Sequence, residues 1–292
     1  MFEFSKQEFY EKALSQVFEE EIAVLGEKNL SGGCVNNATK LKTTKGVYCI
    51  KWNQSQPKEM FAAEQEGLFL MIKANAIKIP KPIGVGEVNQ IAFLVLEYIE
   101  SSVRSSSYWE DLGKQLAQMH RSKNEQYGLS INNFIGSLPQ TNTFKSNWID
   151  FFVENRLEPQ FRLAIESGVI SKTYLKKLDA LAAKLPNLLV QEHPSLVHGD
   201  LWNGNLMVGE KGEPCLIDPA TYFGHREVDL AMTKLFGGFS HMFYQAYQET
   251  YPTEKGLEER LDIYNLYPLL VHVNLFGVGY MSGVDSILRK YT

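Results

Sequence analysis

Residues 198–218 read HGDLWNGNLMVGEKGEPCLID, and this stretch decides the fold that the sequence predicts. Four residues separate Asp200 from Asn205, and a second acid, Asp218, follows the apolar residues 215–217. A polar loop therefore leads into a short strand that ends in a carboxylate. An Asn-Gly hairpin with ordinary surface acids is the alternative. The regular spacing and the alternating polar and apolar blocks favour a chemical site instead.

The same order and spacing occur in protein kinases, where an H-x-D loop, four residues and an Asn precede a strand-borne Asp. Phosphoryl transfer needs a carboxylate that accepts the hydroxyl proton and oxygen ligands for Mg²⁺. Asp200 suits the first task, and Asn205 and Asp218 suit the second. The sequence therefore predicts a kinase that uses ATP and Mg²⁺.

The length and composition of the whole chain narrow the class of protein further. Its 292 residues are enough to bury a full core, as one large domain or as two lobes. A net charge of −5 gives no general attraction to nucleic acid or to anionic membranes. No apolar run approaches the roughly 20 residues that span a bilayer. The N-terminus lacks a signal-peptide layout, and three cysteines do not make a disulfide framework. We expect a cytoplasmic protein with neither a nucleic-acid nor a membrane partner.

Periodicity divides the chain into a strand-rich part and a helical part, so the fold class is α+β. The likeness of the 198–218 motif to kinases implies that these parts form the two lobes of a protein-kinase-like, bilobal fold. The small N-terminal lobe, residues 1–97, is predicted to hold an antiparallel β-sheet, and the C-terminal lobe, residues 98–292, to be mainly helical. The N-terminal segments are a helix over 6–22, three short strands over 22–52, a helix over 58–73 and a hairpin over 83–99 that turns at Asn89 and Gln90.

In the C-terminal lobe the patterns predict a loop over 127–143, a helix over 147–167, a helix over 172–185 that Pro186 stops, and one or two helices over 257–291. His120 is interpreted as a core histidine with satisfied hydrogen bonds. Asp229 either complements a helix dipole or ties the backbone of the catalytic loop, and the tie is favoured.

Three features suit a nucleotide site in the N-terminal lobe. Lys51 ends a mostly apolar strand, like the kinase lysine that pairs with the α- and β-phosphates; the alternative is a solvent-facing lysine. Glu64 falls within the apolar stripe of the 58–73 helix, where a buried acid needs a partner. We predict a Lys51–Glu64 ion pair, the alternative being a glutamate that reaches solvent. Gly32 and Gly33 occupy the place of a phosphate loop, although the G-x-G-x-x-G spacing is absent and the segment alone would indicate a hairpin turn.

The end of the second hairpin strand is the predicted link between the lobes. A kinase-like protein would use Glu97, Tyr98 and Ile99 there as the hinge, whose backbone hydrogen-bonds adenine.

Further motifs resemble the fructosamine kinase (ketosamine 3-kinase) family, which is related to aminoglycoside phosphotransferases and choline kinases. They are Trp202 two residues after Asp200, the Asp218-Pro219-Ala220 sequence that leads into GHREVDLAM at 224–232, and YNLYPLLVHVNLFG at 264–277. Gly32-Gly33-Cys34 also looks like members of this family. The resemblance covers nearly the whole chain.

The resemblance implies ATP-dependent phosphorylation of a sugar hydroxyl on a ketosamine, such as a fructosamine or ribulosamine adduct. The phosphorylated adduct then eliminates and frees the amine, so the activity would deglycate amines or proteins. Trp202 would form a wall of the sugar pocket, or else brace the catalytic loop from the core. Two rival functions are another small-molecule kinase of the aminoglycoside or choline type and a non-catalytic nucleotide-binding protein.

Cys34 follows the two glycines of the proposed phosphate loop. Backbone N–H groups beside Lys51 would make this position electropositive, which favours thiolate and oxidation. The resemblance adds that related kinases can carry a redox-sensitive cysteine here. We expect either a monomer or a redox-linked homodimer. The alternative is that Cys34 is only a small loop residue.

Overall fold

The strand-rich part of the chain forms a single antiparallel sheet. The structure is a computed structural model that describes residues 5–30 and 36–292. A helix, α1 (Lys6–Phe18), precedes the first strand, and a second, α2 (Lys58–Ala74), follows the third. The five strands pair in the order β1-β2-β3-β5-β4; they are β1 (Val24–Leu30), β2 (Asn37–Thr43), β3 (Gly46–Asn53), β4 (Pro82–Val88) and β5 (Ile91–Glu97). Gly32, Gly33 and Cys34 lie outside the described residues.

The two faces of the sheet pack against different partners because successive side chains of a strand point to opposite sides. Phe93 and Val95 join the cluster that includes Phe9 and Leu14 of α1. Leu94 and Leu96 join a second cluster that includes α2 and the helical lobe. Strand β5 is buried at six of its seven positions. It therefore forms the centre of the N-terminal lobe.

The N-terminal elements follow the sequence prediction with one correction. The first helix was predicted over 6–22 but ends at Phe18, because Glu19 adopts the left-handed conformation that caps helices (φ 58°). The hairpin between β4 and β5 turns at Asn89 and Gln90, both with positive φ, as a two-residue primed turn requires.

The rest of the chain is mainly helical, with short strand pairs between the helices. Its first half contains α3 (Tyr108–Met119), β6 (Asn133–Ile135), β7 (Leu138–Gln140), α4 (Trp148–Phe152), a π-helical turn (Val153–Leu157), α5 (Glu158–Glu166) and α6 (Thr173–Leu188). Its second half contains β8 (Ser195–Val197), a 3₁₀ turn (Asn203–Asn205), β9 (Leu206–Val208), β10 (Pro214–Leu216), β11 (Tyr222–Gly224), α7 (Glu227–Leu235), α8 (His241–Thr250), α9 (Leu257–Phe276), a second 3₁₀ turn (Val278–Tyr280) and α10 (Met281–Tyr291).

Two predictions for this lobe were wrong. The segment predicted as a loop over 127–143 contains the β6–β7 hairpin, whose strands have only three residues each. The helix predicted to stop at Pro186 runs through it to Leu188. Pro186 is exposed, so the carbonyl it leaves unpaired one turn earlier can be solvated, while buried Leu185 and Leu189 keep the segment on the core.

Helix α2 packs directly on the C-terminal lobe. Its residues Phe61, Leu68 and Met71 belong to the same buried cluster as the helical lobe. A Cβ atom at Gly67 would lie 3.3 Å from the side chain of Thr221, so the helix approaches that loop closely. Within residues 5–30 and 36–292, no helix is long and apolar enough to cross a membrane.

Candidate active site

The catalytic loop follows β8 and is held by Asp229 at the start of α7. The Asp229 carboxylate accepts hydrogen bonds from His198 N (2.7 Å) and Gly199 N (2.9 Å). His120 is fully buried and contacts both Asp229 (3.0 Å) and the Tyr247 hydroxyl (2.8 Å). The tie favoured for Asp229 and the core role of His120 are therefore both confirmed.

Gly199 is required by the shape of this loop. Its φ is +82°, and a Cβ atom there would lie 2.2 Å from the carbonyl oxygen of Ala220. Any other residue would therefore separate the catalytic loop from the segment that carries Asp218.

Asp200 lies half-buried at the end of this loop, where Asn205 contacts it twice. Asn205 Nδ2 donates to the Asp200 carbonyl at 2.8 Å and to its carboxylate at 2.9 Å. Burial, together with the negative charges of Asp218 and Asp229, raises the pKa of Asp200 to about 7, although the Asn205 hydrogen bond opposes the shift. A carboxylate with a raised pKa is a better proton acceptor than an ordinary surface aspartate.

Lys51 joins the two lobes at the site. Its Nζ lies 2.6 Å from Glu64 and 3.0 Å from Asp218, so the predicted Lys51–Glu64 ion pair is present. The side chains of Lys51 and Glu64 are only 8% and 10% exposed, which excludes a solvent-facing lysine. Burial acts to lower the pKa of Lys51, but the charges of Asp218 and Glu64 outweigh it and raise that pKa. Lys51 therefore stays charged at neutral pH.

A cavity of about 470 Å³ lies between the lobes and contains these side chains. Its polar end holds Lys51, Glu64, Asp200, Asn205 and Asp218. Its apolar end is lined by Ala38, Cys49, Leu96, Met207 and Ile217 and by the predicted hinge residues Glu97, Tyr98 and Ile99. A cavity with apolar and charged lining residues suits a nucleotide, which has an apolar base and charged phosphates.

Trp202 lines the same cavity and is only partly buried. Its ring lies over Gly204, where an added Cβ atom would be 2.3 Å from the indole, and contacts Phe236 edge-on at 6.2 Å. The indole thus has a face toward the cavity and also packs on the catalytic loop. It is not a residue of the buried core.

The sequence interpretation missed the β6–β7 hairpin as part of the site. Asn133, Phe134 and Gly136 line the cavity beside Pro219 and Ala220. Asn133 and Ile135 are buried, and Phe134 between them is half-buried. Each strand of this hairpin has only three residues, so the alternation in the sequence was too short to identify it.

The donor atoms fit Mg²⁺ bound with a nucleotide. The described hydrogen bonds of the Asn205 side chain all use Nδ2, so Oδ1 is available as a ligand. The Asp218 side chain is 36% exposed to the cavity, and its described partner is the cation Lys51. Magnesium takes few protein oxygens and keeps several waters, so these two groups with phosphate oxygens are sufficient.

A sheet lobe, a helical lobe and this set of side chains between them define a protein-kinase-like phosphotransferase. The chain belongs to the fructosamine kinase family, whose family model matches residues 7–292. The resemblance inferred from the sequence and the predicted fold class are thereby confirmed.

Individual relatives agree over most of their length. A probable ketoamine kinase of Synechocystis is 39% identical over 280 residues, which is 95% of this chain and 94% of the relative. A chloroplastic protein-ribulosamine 3-kinase of Arabidopsis thaliana is 37% identical and covers 90% of this chain and 81% of its own.

Solved structures support the same assignment. A Haemophilus somnus protein assigned as a fructosamine-3-kinase superimposes with a TM-score of 0.88 at 30% identity, covering 97% of this chain and 98% of its own. An aminoglycoside phosphotransferase superimposes with a TM-score of 0.61 at 16% identity, over 96% of this chain and 98% of its own, and shows the shared fold alone.

Proposed function

We propose that the protein is an ATP-dependent ketosamine kinase that phosphorylates a sugar hydroxyl of a fructosamine or ribulosamine adduct and so leads to deglycation. The observation that carries the proposal is the meeting of Lys51, Glu64, Asp200, Asn205 and Asp218 in one cavity beside Trp202. Two relatives named ketoamine kinase and protein-ribulosamine 3-kinase support the acceptor class.

Asp200 is the proposed catalytic base. Its carboxylate accepts the proton of the sugar hydroxyl while that oxygen bonds to the γ-phosphorus. The bond from the γ-phosphorus to the bridging oxygen breaks, and ADP leaves with the electron pair. The raised pKa of Asp200 strengthens its basicity, and Asn205 fixes its orientation.

Lys51, Glu64, Asn205 and Asp218 are the proposed phosphate and metal residues. Lys51 would neutralise the α- and β-phosphates, with Glu64 holding its ammonium in place. Asp218 and Asn205 Oδ1 would hold Mg²⁺, which supplies positive charge to the phosphate oxygens when bound.

Two further segments are proposed to hold the rest of the nucleotide. The hinge residues Glu97, Tyr98 and Ile99 border the apolar end of the cavity, where the adenine would lie. The phosphate-loop residues Gly32, Gly33 and Cys34 would cover the phosphates from the N-terminal lobe.

Trp202 is the proposed wall of the sugar pocket. Its indole borders the cavity two residues beyond the base, and an aromatic face packs on the apolar face of a sugar ring. The same cavity would thus receive the ketose beside Asp200.

A panel of acceptors tests the proposal. Labelled ATP and Mg²⁺ would be given with N-substituted fructosamine, ribulosamine, an aminoglycoside or choline, with Asp200→Asn as the inactive control. We expect label transfer to a ketosamine and later release of the free amine. Transfer to an aminoglycoside or choline instead would favour the other small-molecule kinases. Nucleotide binding without transfer to any acceptor would favour a non-catalytic protein.

The proposed function also includes the location, the substrates and the oligomeric state of the enzyme. We propose a cytoplasmic enzyme that acts on small-molecule or protein-bound ketosamines, either as a monomer or as a homodimer linked through Cys34. Burial raises the pKa of the Cys49 and Cys215 thiols to about 12, so both stay protonated and poorly reactive at neutral pH. This supports Cys34 as the cysteine that would form the link.

A further inference from the structure

Two side-chain amides of the β6–β7 hairpin hold the backbone that follows Asp218. Gln140 Nε2 donates to the Ala220 carbonyl at 3.1 Å, and Asn133 Nδ2 donates to the Thr221 carbonyl at 2.8 Å. The two amide side chains are buried. The catalytic loop adds a third contact, because Ala220 N donates to the His198 carbonyl at 2.9 Å. The segment after Asp218 is therefore held from two sides.

This support matters because Asp218 has an unfavourable backbone conformation. Its φ is +55°, and the left-handed region costs an L-residue roughly 1–2 kcal/mol. Asp218 also precedes Pro219, and a residue before proline favours an extended backbone. Such a conformation persists only where the surroundings impose it. Here the surroundings include the hydrogen bonds to the Ala220 and Thr221 carbonyls.

The two amides are themselves fixed in orientation. Gln140 presents its NH₂ group to two acceptors, the Ala220 carbonyl and Asn133 Oδ1, and its Oε1 accepts from the Tyr267 hydroxyl at 2.7 Å. Asn133 Oδ1 accepts from Gln140 at 2.8 Å and from Asn142 at 2.7 Å, so Asn133 must present its NH₂ group to Thr221. A flip of either amide would place two acceptors face to face.

Arg156 completes this arrangement from the π-helical turn. It is fully buried, and one of its terminal nitrogens donates to Asn142 Oδ1 at 2.7 Å, which sets the orientation of that amide. Its guanidinium lies 4.0 Å from the ring centre of Tyr222, and its described hydrogen bonds go to amide and backbone oxygens. Burying a guanidinium against neutral oxygens costs free energy. This cost suits a side chain whose role is to orient the Asn142 amide.

We propose that Asn133 and Gln140 are positioning residues that impose the left-handed conformation of Asp218 and thereby aim its carboxylate at the metal. The inference rests on the proposed role of Asp218 as a Mg²⁺ ligand. Gln140 is the cleaner residue to test, because Asn133 also lines the cavity while Gln140 lies behind it.

The first variant is Gln140→Glu, which keeps an oxygen for Tyr267 but replaces the NH₂ donor that faces Ala220. Mn²⁺ binding in the presence of a non-hydrolysable ATP analogue would be measured by electron paramagnetic resonance. We expect at least tenfold weaker Mn²⁺ binding and an equal rise in the Mg²⁺ concentration for half-maximal turnover, with the ketosamine KM changed less than twofold. Added negative charge alone would strengthen cation binding, so weaker binding reports lost positioning.

The matched control is Gln126→Glu, which makes the same change on an exposed loop and should bind Mn²⁺ like the wild type. A second variant, Tyr267→Phe, removes the hydroxyl that holds Gln140 Oε1 without adding charge and should weaken Mn²⁺ binding about threefold or more. Tyr174→Phe is its control, because that hydroxyl bonds Asp285 instead (2.8 Å).

Thermal unfolding distinguishes a loss of Asp218 positioning from a general loss of stability of the protein. Unchanged Mn²⁺ affinity in folded Gln140→Glu and Tyr267→Phe would overturn the inference, even if both variants melt at lower temperature. Failure of the wild type to bind Mn²⁺ with the nucleotide would instead overturn the proposed function itself.

Discussion

Lys51 and Asp218 form an ion pair of 3.0 Å between side chains that are 167 positions apart in the sequence. Lys51 comes from β3 of the sheet lobe, and Asp218 follows β10 of the helical lobe. Glu64 holds the other side of the same ammonium at 2.6 Å. Contacts from both lobes thus hold Lys51, the proposed phosphate-binding cation, beside Asp218, the proposed metal ligand.

Replacing Glu64 by Gln should loosen Lys51. A hydrogen bond to a charged group contributes about 1.5–3 kcal/mol, so we expect kcat/KM for ATP to fall at least about tenfold while the ketosamine KM stays within about twofold. Steady-state kinetics measures both constants. Glu66→Gln, on the exposed side of the same helix, should behave like the wild type. An unchanged kcat/KM for ATP in Glu64→Gln would contradict the role of this ion pair.

Replacing Asp200 by Asn removes the proposed base. General base catalysis contributes roughly 10²–10⁴-fold, so kcat should fall by at least about a hundredfold. ATP affinity should change little, because Lys51 and Asp218, the groups proposed to hold the nucleotide, are unchanged. Calorimetry with a non-hydrolysable analogue checks the affinity, and Asp179→Asn, an exposed residue of α6, is the matched control. Near-normal turnover in Asp200→Asn would remove the assignment.

The same variant should be more stable than the wild type at alkaline pH. The pKa of Asp200 is about 7 in the folded protein, whereas an aspartate in the unfolded chain has a pKa of about 3.9. Between these values the unfolded state binds fewer protons, so ionisation of Asp200 lowers the free energy of unfolding as the pH rises. The destabilisation is complete above about pH 7 and absent below about pH 4.

Without metal or nucleotide, Asp200→Asn should therefore melt at least about 3 °C above the wild type at pH 8. The difference should shrink toward pH 5, because the wild-type carboxyl is then protonated in the folded state. Asp179→Asn should show no such pH dependence. A stability difference that is constant between pH 5 and pH 8 would contradict the raised pKa.

Replacing Trp202 by Ala tests the sugar wall. Loss of an aromatic contact of about 1.4 kcal/mol corresponds to a tenfold change, so the ketosamine KM should rise about tenfold and the ATP KM much less. Trp202→Phe keeps an aromatic face and should recover most of the difference. A large fall in melting temperature with both KM values unchanged would show that Trp202 only braces the catalytic loop.

Cys34 is predicted to be the reactive thiol of the chain. After mild peroxide the wild type should lose most of its activity and regain it with dithiothreitol, while Cys34→Ala should be insensitive because Cys49 and Cys215 remain protonated. A non-reducing gel then shows whether a covalent dimer forms. Equal loss in both proteins would exclude the switch.

The sequence identified those parts of the site in which neighbouring residues carry the chemistry. Residues 198–218 hold the proposed base and both proposed metal ligands within one loop and one strand pair, so their spacing alone was informative. The Lys51–Glu64 pair could be predicted because an acid in the apolar stripe of a helix requires a cation.

Other features could not be predicted because they depend on tertiary contacts. The β6–β7 strands have three residues each, too few for a periodic signal, and the polar residues Asn133, Gln140 and Asn142 look like a loop until their partners in α9 and the π-helical turn are known. The left-handed backbone of Asp218 is likewise imposed from outside, and local preference before a proline indicates the opposite.

The close packing of α2 on Thr221 affects how the protein unfolds. Because Phe61, Leu68 and Met71 share one buried cluster with the helical lobe, the sheet lobe has no separate core on that side. Separating the lobes would expose this apolar surface to water, so the two halves should melt in one cooperative transition despite their different architectures. A chain cut near residue 97 would then yield a fragment that aggregates rather than an autonomous nucleotide-binding module.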